Sequence, residues 1–322
     1  MVVPASVVSA GAGARERARP ESAELAAAKA LARKLRRDSD IVNYACIEWA
    51  VGVFRREAGG ATECVVVSNE GFGYIPWGVF LPRTARLLVA DKLVDNQFRE
   101  RWFGSSDPAE VLAEYAQLRG RGGTHLVAMA VTADSPFGRA PGVEYAVCQR
   151  EFDDAPYTRP ILDDMHMHRL EAIDPQLYAW LFQLPRMVVK RTMEELGDQM
   201  VATVRNCGQM TPELREMWDV LGTGDDISDT VWKQYRVAAS VYFVNLSAAR
   251  PHPESSTGER QTYQAQWVTA RTMEFVQGFE DQSLPEVADM VYAAASAHPG
   301  DFAPQLEMRL RAVAAELGCD VA

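Results

Sequence analysis

ECVVVSNEGFGYIPWGVFLP, the stretch of residues 63–82 containing Cys64 and ending at Pro82, decides how the rest of the chain must be folded. Its valine run suits a buried strand, because branched side chains pack well on a pleated surface. Asn69, Gly71 and Gly73 then punctuate the chain. Pro76 restricts Ile75 to an extended conformation and supplies no ladder donor, so a strand that contains it belongs at a sheet edge or is broken there. The expectation is two buried strands joined by an aromatic, glycine-containing connection.

Upstream, Tyr44 to Phe54 (YACIEWAVGVF) is rich in β-branched and aromatic residues. Alternation puts Ala45, Ile47, Trp49, Val51 and Val53 on the core face of a strand. The short EAGGAT connection, Glu57 to Thr62, makes the strand near Cys64 to Ser68 its antiparallel hairpin partner. Before that strand, Leu25, Ala28, Ala32 and Leu35 share one helical face, with Arg33, Lys34, Arg36 and Arg37 toward the helix end that favours cations. These cations could meet an anionic partner, although a solvated helix end is the plainer reading. Met1 to Arg19, rich in Ala, Gly, Ser and Pro without periodicity, has the composition of a disordered linker.

Downstream, Thr84 is placed to cap one long helix carrying Leu87, Leu88, Leu93, Val94, Phe98, Trp102 and Phe103 and ending near Gly104. A second helix, with Pro108 in its first turn, carries Val111, Leu112, Tyr115 and Leu118 as far as the breaker Gly120 to Gly123. His125 to Thr132 and Val143 to Phe152 are two further strand candidates. From Pro160 onward the period is helical: Asp174-Pro175 opens a helix with Leu177, Trp180, Leu181 and Leu184. Val189, Met193, Leu196, Met200, Val204 and Cys207 make a sustained seam over 186–207. Similar stripes follow at Val231, Tyr235, Ala238, Tyr242 and Leu246, at Tyr263, Trp267 and Ala270, and at Leu306, Leu310, Val313 and Leu317. Arg250 to Gly258 is an exposed loop between two of them. The fold class is α+β: a mostly antiparallel sheet with flanking helices in the N-terminal half, packed on a C-terminal helical bundle. Residues 20–322 form one domain, sheet-rich over 20–160 and helical over 161–322.

A net charge of −11 over 322 residues argues against a nucleic-acid binder, which needs a basic face. Five scattered cysteines without C-x-x-C spacing point to a reducing, cytoplasmic setting. No apolar run approaches the roughly 20 residues of a membrane span, so no membrane insertion is expected. There is no G-x-S-x-G elbow, Walker lysine, H-E-x-x-H or G-x-G-x-x-G after a strand. The chain therefore reads as a non-enzyme without a cofactor.

The tempting cluster is Asp163, Asp164, His166 and His168, where two histidines at i and i+2 beside carboxylates could ligate a metal if the segment is extended. The competing reading is a polar junction between the two halves. Phe72, Tyr74, Trp77 and Phe80 concentrate aromatic surface around a kinked segment and are the candidate partner-binding residues, with core packing as their alternative fate. A metal-dependent enzyme built on the acidic and histidine cluster, and a module that self-associates through its helical half, stay open beside a binding protein.

VSNEGFGYIPWGVFLPRTARLLVADKLVDNQFRERWFG, with the preceding IVNYACIEWAVGVFRRE and the helical remainder, resembles the C-terminal domain of EspK, a family associated with the ESX type VII secretion machinery of mycobacteria. The likeness extends from about Pro20 over nearly the whole chain and rests on no short motif. It implies a cytosolic chaperone that holds the secreted helical virulence factor EspB soluble and unassembled for export, with the export machinery as a further partner. EspG chaperones, which grip helical tips with a sheet and bundles, are a fold-level analogy. The resemblance carries no contact residue across. The expected client site is a hydrophobic groove edged by acidic residues.

Overall fold

The computed structural model describes residues 20–44, 46–150, 158–224, 226–252, 254–281, 283–297 and 302–319, the last segment without side chains at 302–304. The linker expected over 1–19 lies outside the described residues. In chain order the elements are α1 (Ala23–Ile41), β1 (Trp49–Arg56), β2 (Glu63–Ser68), β3 (Leu81–Pro82), β4 (Ala85–Leu87), α2 (Asn96–Trp102), α3 (Pro108–Gly120), β5 (Thr124–Val131), β6 (Glu144–Val147) and β7 (His166–Met167). The helical half follows as α4 (Arg169–Ile173), α5 (Pro175–Leu181), α6 (Arg186–Asn206), α7 (Pro212–Thr223), α8 (Asp229–Ala248), α9 (Thr257–Gln277), α10 (Leu284–Ala297) and α11 (Phe302–Glu316). The architecture is α+β, as its residue patterns require.

Five strands make the main sheet in the order β4-β2-β1-β5-β6. The central β1 pairs antiparallel with β2 through the expected hairpin and antiparallel with β5. Each outer strand adds in parallel, β4 on β2 and β6 on β5, so the sheet is mixed with its long pairings antiparallel. Both faces of β1 are covered. Trp49, Val51 and Val53 enter a large core shared with α1 and the bundle, whereas Ala50 and Phe54 face a second core containing Phe98 of α2 and Val111, Leu112 and Tyr115 of α3. A strand buried on both sides reads as a nearly continuous apolar run, which is what residues 49–54 are. Trp49 is fully buried, and its indole donates to Ser39 Oγ on α1 at 3.1 Å.

Three expectations are revised. The single helix foreseen from Thr84 to Gly104 is instead β4, a 3₁₀ turn at Leu88–Ala90 and the short α2 capped by Asp95. Leu87 and Leu88 are consumed by the sheet edge, and the Asp91 carboxylate turns the chain by accepting from Leu93 N at 2.9 Å. The second strand of the opening stretch shrinks to β3, two residues that pair with β7 in a separate small sheet. Residues 69–80, Pro76 among them, form no strand. The last strand candidate keeps only Glu144–Val147, and its residues 151 and 152 lie outside the described ones.

The helical half is arranged around α9. Every residue from Val268 to Val276 is buried, and α6, α8 and α10 pack around that helix. Its start is fixed by a capping box in which Ser256 accepts from Glu259 N and Glu259 accepts from Ser256 N. The seam of α6 buries Val189, Met193, Leu196, Met200 and Val204 as its spacing foretold, whereas Cys207, its last expected position, is exposed just past the helix end. No described helix is long and apolar enough to cross a membrane. None of the five cysteines is in a disulfide.

Gly71 shows how tightly the two halves meet. Its φ is +51°, and an added Cβ would lie 2.4 Å from the Trp267 ring of α9. Gly71→Ala combines left-handed backbone strain with overpacking and should lower unfolding free energy by about 2–4 kcal/mol in urea denaturation. Gly59→Ala, also at positive φ but in open space, should cost less.

Candidate functional site

Where the connection after β2 meets α9 and α10, the fold buries charge. Tyr74 is 3 % exposed, and its hydroxyl donates to Glu274 Oε2 at 2.7 Å. Arg271, one turn earlier on α9, donates to the same oxygen at 2.5 Å and sits over aromatic rings, 3.9 Å from the Tyr74 centroid and 4.5 Å from that of Trp267. Arg169, the first residue of α4, bridges Glu274 and Asp289, each at 2.5 Å. The same guanidinium donates to the Ile75 carbonyl at 3.2 Å, while Ile75 N donates to the Tyr292 hydroxyl of α10 at 2.8 Å. A second buried carboxylate, Glu70, takes Arg250 and the Ser247 hydroxyl. The connection after β2 is thus held to four helices by polar contacts inside an otherwise apolar core.

Titration behaviour follows from these neighbours. Burial pushes the Asp289 carboxyl up, but Arg169 and His168 beside it outweigh that and hold it below the usual carboxylate range. Burial likewise drives the Tyr74 hydroxyl well above its ordinary value. Glu286, in the first turn of α10, is the opposite case: burial first, then the charges of Asp289 and Asp281, push its carboxyl up to about 7.

The four aromatic candidates do not form one surface. Phe72 is half-buried on the far face of the sheet, against Phe98 and the guanidinium of Arg99. Tyr74 is the buried hub just described. Phe80 is half-buried near the His168 ring. Trp77 alone is broadly open, 41 % exposed, with Arg159 stacked over it at 4.6 Å. The acidic and histidine cluster also separates. His166 pairs with Asp163 at 2.7 Å, whereas His168 caps α4 by accepting from Leu170 N and lies 3.0 Å from Asp289. Among the described residues no group of three His, Cys, Asp or Glu side chains is placed to hold a metal ion. The segment is a polar junction between the halves. Of the α1 cations, Lys34 pairs with Asp38 and Arg36 with Glu48.

Beside Trp77 lies a surface groove of about 460 Å³. Val42 and Tyr44 form one wall and Val237, Val241 and Val244 of α8 the other, while buried Tyr74 and Glu274 close its inner end. The three valines are 58 %, 57 % and 53 % exposed, an apolar stripe spaced four and three along a helix whose opposite face buries Trp232, Tyr235 and Leu246. Its rim carries the cations Lys233 and Arg236 rather than the acidic edge expected; carboxylates gather at the neighbouring depression around Glu280, Asp281 and Glu286. Sequence reasoning placed Val231 on the buried stripe of α8, but Val231 is exposed. The missed residues Arg271 and Glu274 had one signal, charges one turn apart inside an apolar helical seam.

Two variants check this account. Arg169→Leu leaves Asp289 without a guanidinium and Glu274 with that of Arg271 alone, and should cost about 3–5 kcal/mol in chemical denaturation. Glu286→Gln acts in the other direction. The native carboxyl binds its proton more tightly than the unfolded one, so its ionisation opposes folding above about pH 7 and this penalty fades as pH falls toward the unfolded value. The variant should melt higher than wild type at pH 8, with the gain shrinking toward pH 5.

A search of curated proteins returns no match to the chain. Residues 37–274 match the family described as the EspK C-terminal domain; most of the chain is covered, and it belongs to that family and with it to the type VII secretion-related proteins.

Proposed function

We propose that this domain is a non-enzymatic, cytoplasmic secretion chaperone that binds a helical type VII substrate of the EspB kind and keeps it soluble and unassembled for export. The observation that carries this reading is the open valine stripe of α8 facing Trp77. Soluble proteins seldom leave adjoining apolar side chains of this size uncovered without a partner for them. Beneath the groove Arg271 and Tyr74 both donate to Glu274, and a groove shaped before binding reduces the ordering cost of association. A partner helix packing on the stripe would cover Val237, Val241, Val244 and Trp77 together. Trp anchors near the centre of an interface carry a disproportionate share of its affinity.

Co-expression with an EspB-family substrate, followed by size-exclusion chromatography with light scattering at physiological salt, tests the reading. A discrete complex in which the substrate no longer oligomerises is the expected result. Two separate peaks at micromolar concentration overturn it, and mass growth of the domain alone would favour the self-associating module. Within the complex, Trp77→Ala should weaken affinity by roughly 30-fold while leaving the circular dichroism spectrum unchanged.

A further inference from the structure

The valine groove is one end of a longer trench. It shares Trp77, Arg236, Glu274 and Gln277 with a depression of about 250 Å³, and that depression shares Glu280, Asp281 and Met290 with a third of about 430 Å³. The third is mainly apolar again, lined by Met187, Val189, Met193 and Val287 with Met187 58 % exposed, and it also carries the cations Arg186 and Lys190. Helices α6, α8, α9 and α10 supply most of these walls.

The middle of the trench is acidic and only partly neutralised. Glu280 is paired with Arg236, and Asp289 with Arg169. Asp281 and Glu286 form no ion pair among the described residues, and the Glu286 carboxylate instead accepts a hydrogen bond from the Trp77 indole N–H. Their carboxylates do not converge with a third as metal ligands would. A side-chain cation on a long apolar stem suits such a place better than an ion, because its stem covers apolar wall while its head meets the charge. An independent observation points the same way. The chain's own Arg159 guanidinium already lies over Trp77 at 4.6 Å, so the ring that borders the acidic section is one on which a cation rests.

We propose that the trench binds an amphipathic helix of the exported client that carries a Lys or Arg side chain at its centre. The apolar flanks of that helix pack on Val241 at one end and Met187 at the other, and the cation enters beside Trp77 between Asp281 and Glu286. This inference rests on the chaperone reading and specifies what the client must present.

The test uses the full chain and the EspB-family substrate of the co-expression experiment, with affinity measured by titration calorimetry at low and high salt. Glu286→Gln combined with Asp281→Asn should weaken binding roughly tenfold at low salt and flatten its salt dependence. Glu286→Lys should weaken it further by placing like charges together. Val241→Asp, which spoils only the apolar flank, should abolish the complex and serves as the control for the groove itself. A complex lost in Val241→Asp but indifferent to the carboxylate variants overturns the cation while sparing the chaperone reading. A complex indifferent to all of them overturns the trench as the docking face. Absence of any wild-type complex overturns the chaperone reading and this inference with it. Thermal unfolding of each variant at pH 8 separates lost contact from lost fold.

Discussion

The Glu274 carboxylate, shared between Arg169 and Arg271 and hydrogen-bonded by Tyr74, is the contact on which the relation between sheet and bundle depends. Taking three charges out of water is expensive, and their mutual contacts must offset that cost. Here the partners come from α4, α9 and the connection after β2, so those contacts form only when all three have docked, and even then Arg169 Nη2 and Arg271 Nε and Nη2 have no hydrogen-bond acceptor among the described residues. The aromatic rings of Tyr74, Trp267 and Phe243 against the Arg271 guanidinium replace part of its lost hydration. A purely apolar junction of this size could slide by a side-chain width at little cost. One built on directed hydrogen bonds has a single register.

That register has a consequence at the surface. Fixing α9 against the sheet also fixes α8, which packs on α9 through Trp232, Tyr235 and Leu246. A helix of 20 residues with apolar side chains on two faces can bury only one of them against a single neighbour. The valine stripe is what remains, and the loop carrying Val42 and Tyr44 stands opposite without closing over it. The exposed groove is therefore produced by the same packing that makes the interior unique. One of its walls belongs to α8, and side chains on a helix are held more precisely than those on a loop.

Sequence patterning revealed the elements far better than it revealed their junctions. Helical spacing over 186–207 and the apolar strand at 49–54 were legible because a 3.6 or a continuous apolar pattern survives whatever packs against it. The segment 84–104 was not, since Leu87 and Leu88 satisfy a helical pattern as well as a sheet edge, and only pairing with Cys64 to Val66 decides between them. Tyr74 and Trp77 are three residues apart and equally aromatic, yet one is a buried hub and the other open. Which way each points depends on Glu274 and Arg159, and the first of these is 200 residues away. The charges of α9 could have been noticed as an anomaly within an apolar seam. Their partners, Arg169 of α4 and Tyr74 of the connection after β2, could not have been found without the fold.

Buried charge and exposed trench also address the same physical difficulty at two places. Apolar side chains such as Val241 and Met187 give affinity with little directional preference, so a helix lying along them could shift by one turn at small cost. Inside the domain, that freedom is removed by Glu274 and its arginines. Along the trench, a cation meeting Asp281 and Glu286 removes it in the same manner, because a shift of one turn, about 5.4 Å, would carry the charge from carboxylates to valine or methionine. Burial and its acidic neighbours disfavour the Glu286 charge, with Arg169 and the Trp77 indole offsetting part of that, so a helix lacking the cation gains contact area but adds nothing to this offset. On the proposed reading, discrimination between clients comes from the few polar positions at the middle of the trench, and the apolar ends supply the hold.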